Sequence, residues 1–205
     1  MVKSGLSERV DVSQYRLALH LTMAFIILGL TFHTLVSYLF ENNLINNNSI
    51  FIKKYKILLI ILFIFICFQI SYGAFVSGTH SGLLYNTWPL YNGTIFPFIE
   101  NTHIRWIINF FENGEYIIFI HRTFAMIILL LLGYLNYTII MQSKIKSYYS
   151  VIIFFNIAFV LQIVLGVSMT YLNIPWHLAL LHQGNSILVF LLSLFMYQLS
   201  FRSPQ

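Results

Sequence analysis

Charge is what this sequence has least of. Of 205 residues only 8% are Asp, Glu, Lys or Arg, against about a quarter in soluble globular domains, so a water-facing surface of ordinary composition is excluded. The single cysteine, Cys67, excludes an internal disulfide, and lying mid-way along an apolar run it reads as a small buried side chain. The N-terminus has no charged leader and cleavage site of signal-peptide form. Motifs of soluble enzymes are missing as well: there is no His-Glu-x-x-His, no Walker loop and no Gly-x-Ser-x-Gly. The net charge of +5 calls for no nucleic acid, because the lysines mostly flank the apolar segments.

What is there is apolar: 59% of the residues are hydrophobic. Crossing the hydrocarbon core as helix takes roughly 20 apolar residues, and five runs qualify, at 15–38, 57–76, 117–140, 150–171 and 178–199. Open strands leave backbone groups unsatisfied in lipid, and the alternation of a membrane barrel is absent, so the expected fold class is all-α, a polytopic membrane protein. Five spans place Lys53, Lys54, Lys56, Lys144, Lys146 and Arg202 on one side. Lys3, Arg9, Arg16, Arg105 and Arg122 fall on the other, among Glu8, Asp11, Glu100, Glu112 and Glu115. Counting only Lys and Arg, the first group marks the inner side and the N-terminus is outside.

Asp11 or Ser13 is placed to cap the first span, which carries Arg16 and His20 four apart on one face. The asparagine-rich stretch after it reads as a flexible connector. The second span ends in Ser71, Gly73, Ala74, Ser77 and Gly78, a small-residue run suited to close helix packing. Residues 77–116 form the longest non-spanning segment, rich in aromatics (Tyr85, Trp88, Tyr91, Phe96, Phe98), which read as an interface belt or a lid. Ile104, Ile107, Ile108 and Phe111 recur at helical spacing there and predict an amphipathic surface helix. Gln162 and Gly166 in the fourth span read as packing residues. Pro175 makes so short a turn that the fourth and fifth spans are antiparallel neighbours.

Alternating topology brings the first, third and fifth spans in from the same side, each with a histidine near its start: His20, His121 and His182. Counted from Ile117 and Leu178, His121 and His182 are each about 6 Å deep at 1.5 Å per residue. One such histidine alone would be read as bonding a neighbouring carbonyl. Two at matched depth can clamp one metal, and a haem iron held by two imidazoles suits electron transfer. Arg122 or Arg16 could pair with haem propionates, or simply snorkel. His33 is 13 residues beyond His20, about 220° round the helix at 3.6 residues per turn, so these two share no face. His80, His103 and His177 read as surface hydrogen-bonding residues.

The residues then match a family pattern. MVKSGL and SQYRLALHL, GAFVSG with GLLYNTWPL, FFEN followed by FIHRTFAMI, and LQIVLGV with IPWHLALLHQ occur in that order along nearly the whole chain. The sequence resembles the C-terminal part of haem A synthase. The resemblance implies eight helices in two pseudo-symmetric halves, with residues 57–205 as the C-terminal four-helix haem-binding half. Residues 1–56 would be the last helix of the N-terminal half and its connector. It implies that His121 and His182 are the axial ligands of haem b, with Arg122 beside them. His20 and Arg16 would belong to the site of the substrate haem O, whose C8 methyl is oxidised to a formyl group to give haem A for cytochrome oxidase. Partners implied are lipid, haem O with the haem O synthase that makes it, and the other half of the enzyme; a homo-oligomer is compatible. The setting implied is a bacterial cell membrane or a mitochondrial inner membrane.

Two departures stand out. The chain starts where the family's third helix has ended, so His20 lacks its partner histidine and the family's outer-loop glutamate is absent; a fragment, or a second polypeptide, is expected. Thr79, His80 and Ser81 stand where the family often has Leu-Asp-Ala. A b-type electron-transfer cytochrome and a haem-free membrane scaffold are the competing readings, the second predicting no haem spectrum at all.

Overall fold

In lipid every backbone N–H and C=O needs an internal partner, and a helix is the one open element that provides it. The computed structural model describes residues 12–44, 54–97, 106–141 and 149–201. Six α-helices account for most of them: α1 Gln14–Glu41, α2 Lys56–Gly78, α3 Trp106–Glu112, α4 Gly114–Met141, α5 Tyr149–Tyr171 and α6 Trp176–Phe201. All but α3 are long and apolar enough to cross a membrane. The chain is an all-α, multi-pass membrane protein, as its composition dictates. Each long helix outruns the apolar stretch that predicts it by one to several residues, through polar ends such as Gln14, Glu41 and His177.

The helix ends are set by local chemistry. Asn113 is the N-cap of α4, its Oδ1 accepting from the backbone N–H of Glu115 at 2.9 Å and of Tyr116 at 3.3 Å. Ser13 occupies the same position before α1 but makes no side-chain cap bond; Asp11 lies outside the described residues. The connector after α1 begins with structure rather than slack. Asn42 bonds back to Tyr38 O through backbone and side chain, and Asn43 takes a left-handed φ of 55°, the C-terminal geometry that asparagine tolerates. Between α5 and α6, Asn173 and Ile174 are both left-handed and Pro175 leads into α6, so the two helices return side by side as expected.

The strongest packing joins α5 to α6, α2 to α4, α2 to α6, and α1 to α2, with α1 also touching α6. A reciprocal amide pair, Asn136 to Asn156 at 2.9 and 3.0 Å, ties α4 to α5. Around the bundle the order is therefore α4, α2, α6, α5, with α4 diagonal to α6 and α1 added against α2 and α6. The small-residue run at the end of α2 does pack, against three different partners. Ser71 accepts a hydrogen bond from Thr22 of α1 at 3.0 Å. Gly73 faces His121, and Gly78 lies so near Gln14 that a Cβ there would be 2.7 Å from its Cα.

The apolar core is not spread evenly. It gathers in the half of the bundle away from the loop at 79–97, around Val36 and Phe40 of α1, Leu62 of α2, Leu135 of α4, Phe155 of α5 and Leu199 of α6. The loop-side half of α4 buries only Ile117 and Ile118, and that of α6 before Val189 only Ser186. The candidate ligands sit in this sparsely packed half.

Candidate functional site

His121 is seven residues into α4 and His182 six into α6, about 10 and 9 Å along the helix at 1.5 Å per residue. Both are deeper than the apolar runs alone suggest, because α4 and α6 begin before Ile117 and Leu178. The helices carrying them are diagonal, so the two histidines stand on opposite sides of the same end of the bundle.

Each ring leans on a supporting helix in the same way. A Cβ on Gly73 of α2 would lie 3.3 Å from His121 Cε1, and one on Gly166 of α5 would lie 3.3 Å from His182 Cε1. One turn earlier stand Gln69 and Gln162, whose Nε2 groups donate to the backbone carbonyls of His121 and His182, each at 3.0 Å. Gln69 Nε2 is also 3.3 Å from His121 Nε2. Both glycines lie five residues, and both glutamines nine, before the loop-side ends of their helices. The pairs α2/α4 and α5/α6 are thus two copies of one device: a Gln-x-x-x-Gly helix supporting a histidine helix. Reading Gln162 and Gly166 as packing residues was correct in kind but missed what they pack against. The repeated Gln-Ile-x-x-Gly, at 69–73 and 162–166, was the available signal. In both rings Nδ1 is buried without a hydrogen-bond partner.

The loop closes the end of this half-bundle. After α2, His80 takes a left-handed φ of 53° and a short 3-10 turn, Ser81–Leu83, follows. The side chain of Ile174, in the α5–α6 turn, lies within 2.6 Å of where a Cβ on Gly82 would sit. Tyr171 donates to Trp88 O at 2.8 Å. Tyr85 and Tyr91 are buried with Ile118, whereas Ile95 and Phe96 face outward; the aromatics serve partly as lid and partly as belt. Arg122, beside His121, is the clasp. Its Nη1 donates to Thr87 O at 3.0 Å, its Nη2 to Tyr85 O at 3.3 Å, and its guanidinium lies 4.9 Å from the centroid of the Tyr91 ring. Burial raises the pKa of the Tyr91 phenol and Arg122 pulls it partly back. Helix α3 flanks the lid with Ile107, Ile108 and Phe111 exposed, an outward apolar face as expected of a surface helix; Ile104 is not among the described residues.

The other expected residues are elsewhere. His20 and Arg16 are both exposed on α1. His33 pairs with Gln198 of α6, whose Nε2 also donates to His33 O at 3.2 Å. His80 and His177 are exposed, the latter edge-on to Trp176 at 5.9 Å. His103 and the basic residues Lys3, Arg9, Lys53, Arg105, Lys144, Lys146 and Arg202 lie outside the described residues. Among the described residues no three His, Cys, Asp or Glu side chains gather as a metal site, so His20 does not join the other two. A bare ion such as zinc takes about four protein ligands, more than the two histidines offer.

The sequence matches the cytochrome oxidase assembly protein family described as COX15-CtaA over residues 1–194. The chain belongs to this family. A haem A synthase of Wolbachia pipientis wMel is 39% identical over 204 residues, covering 95% of this chain and 53% of that protein. Haem A synthases of Pelagibacter ubique and Brucella ovis are 36% and 35% identical over 92% of this chain, covering 54% and 51% of their own lengths. The chain therefore spans about half the length of the curated relatives it matches.

Proposed function

We propose that this chain is the haem-binding portion of a haem A synthase, a membrane oxidoreductase that oxidises the C8 methyl of haem O to the formyl group of haem A. The observation that carries the reading is the pair His121 and His182, on diagonal helices at matched depth, each ring seated on a glycine. Both rings keep one buried nitrogen with no partner, a state costing about 1–3 kcal/mol per group and suited to imidazoles completed by a metal centre. The residues present fit haem b, which His121 and His182 would hold; when bound it would supply one-electron transfer. The chain's own groups do the rest. Gly73 and Gly166 give the rings room, Gln69 and Gln162 hold the histidine backbones, and the Arg122 clasp keeps the lid over the site and water out. Guanidinium has five donors, and those not taken by the loop carbonyls are assigned here to a haem propionate.

In this reading the exposed face of α1, with Arg16 and His20, faces the substrate haem O. The other partners are lipid, the haem O synthase that makes the substrate, and a second helical half beyond α1. A bacterial cell membrane fits the bacterial relatives. One observation favours the plainer reading of a b-type electron-transfer cytochrome: His20 is exposed on α1 and, among the described residues, does not gather with His121 and His182.

The reduced-minus-oxidised absorption spectrum of the purified chain tests the site. A low-spin b-type band, lost in His121→Ala and in His182→Ala, is the expected outcome; a flat spectrum in the folded protein would overturn it. Haem O conversion to haem A, followed by chromatography of extracted pigments in membranes containing the chain, separates enzyme from cytochrome.

A further inference from the structure

The two supporting glutamines are alike in position and unlike in surroundings. Gln162 Oε1 accepts from Asn185 Nδ2 at 2.7 Å, and Asn185 Nδ2 also donates to Ala158 O at 2.8 Å. Its amide is therefore held at both ends: nitrogen to His182 O, oxygen to Asn185. Gln69 has no such anchor. Its nitrogen serves His121 O and the His121 ring together, while its Oε1 is buried without a partner. On the same side, His121 Nδ1 is buried without a partner too. A buried acceptor and a buried imidazole nitrogen are thus both unsatisfied within one side-chain pair.

An imidazole that gives one nitrogen to a metal carries its proton on the other, and that N–H needs an acceptor; such partners fix the ring and raise its basicity. An amide turned end for end exchanges donor for acceptor. Gln69 can make that exchange at the cost of one bond, that from its nitrogen to His121 O, and its oxygen then meets His121 Nε2. Gln162 cannot make it without losing Asn185. On the α5/α6 side the amide can act only on the backbone of His182, so the two ligand rings are electronically unequal.

We propose that Gln69 is the positioning residue that accepts the His121 ring N–H in the haem-loaded protein and tunes the iron through it. Gln162 positions His182 only through its backbone. This rests on the haem reading above. The test uses the haem-loaded chain, with Gln69→Leu, Gln69→Glu and Gln162→Leu, measuring bound haem per chain, the midpoint potential and the low-spin electron paramagnetic resonance spectrum. Removing the acceptor makes His121 a poorer electron donor, so Gln69→Leu raises the potential; the stronger acceptor in Gln69→Glu lowers it, and both change the g values. Gln162→Leu reduces bound haem and leaves the potential of the remaining haem at the wild-type value. Should Gln69→Leu fail to load, the direction of the shift in Gln69→Glu decides. The proposal is overturned if neither Gln69 variant that loads moves the potential, or if Gln162→Leu moves it as Gln69→Leu does. A wild-type chain that binds no haem, or keeps its band in His121→Ala, instead overturns the underlying haem reading.

Discussion

At the residue scale the site depends on two absent side chains. Gly73 and Gly166 each leave room for an imidazole edge at 3.3 Å from where a Cβ would be, a spacing that an added methyl group can hold only by pushing the ring a few tenths of an ångström. Partners that orient a metal's ligands typically change affinity by about 10- to 100-fold when altered. Gly73→Ala and Gly166→Ala are accordingly expected to weaken haem binding by that order, measured by haem titration in detergent. Gly133→Ala serves as control, since nothing lies within 4 Å of its Cβ position, and it should bind haem normally. Equal weakening by all three would show that crowding of the histidine rings is not the cause. Gly78 poses a different problem: its neighbour at 2.7 Å is the backbone of Gln14, which cannot rotate away. Gly78→Ala should separate the start of α1 from the end of α2 and destabilise the fold by about 1–3 kcal/mol, read as a lowered unfolding midpoint without a change in haem spectrum.

At the scale of elements, the lid is held by the small cluster of Tyr85 and Tyr91 against Ile118 and by a few hydrogen bonds to its backbone. Arg122 binds two of its carbonyls, Tyr171 a third, and Ile174 plugs the space beside Gly82. Arg122→Gln should therefore speed amide exchange across residues 82–94 by about tenfold or more, with Tyr171→Phe adding a smaller increment; unchanged exchange would mean the loop is held elsewhere. The sequence announced the spans, because a run of apolar residues has one solution in lipid. It singled out His121 and His182 because each lies four residues into an apolar run, although the helices start earlier and set them seven and six residues in. It could not show that Arg122 faces the loop instead of the bundle, since an arginine at a helix end points to either with equal ease. Nor did it disclose the paired supports: Gln69 and Gln162 are 93 positions apart, and only antiparallel pairing of α2 with α4 and α5 with α6 makes them equivalent. Asn43 was invisible for a simpler reason: one left-handed cap among several asparagines has no signature of its own.

At the scale of the whole molecule, stability and function occupy opposite halves. The half away from the loop is filled by side chains from all five long helices, and the Asn136–Asn156 pair links α4 and α5, a contact whose type contributes about 0.6 kcal/mol on average in membrane bundles. The loop-side half has little apolar filling of its own, and a flat apolar ring system between α4 and α6 would supply it. Amides there should open at lower free energy than those of the filled half, since local opening follows the density of buried contacts. Loading with haem should then raise protection in residues 114–127 of α4 and 176–188 of α6 and leave residues 128–141 and 189–201 nearly unchanged, as measured by hydrogen exchange with and without the cofactor. Uniform protection along both helices would mean that haem stabilises the bundle globally, and that the filled half does not fold independently of the site. Protection confined to the loop side would mean that the far half is a pre-formed base from which His121 and His182 are held ready.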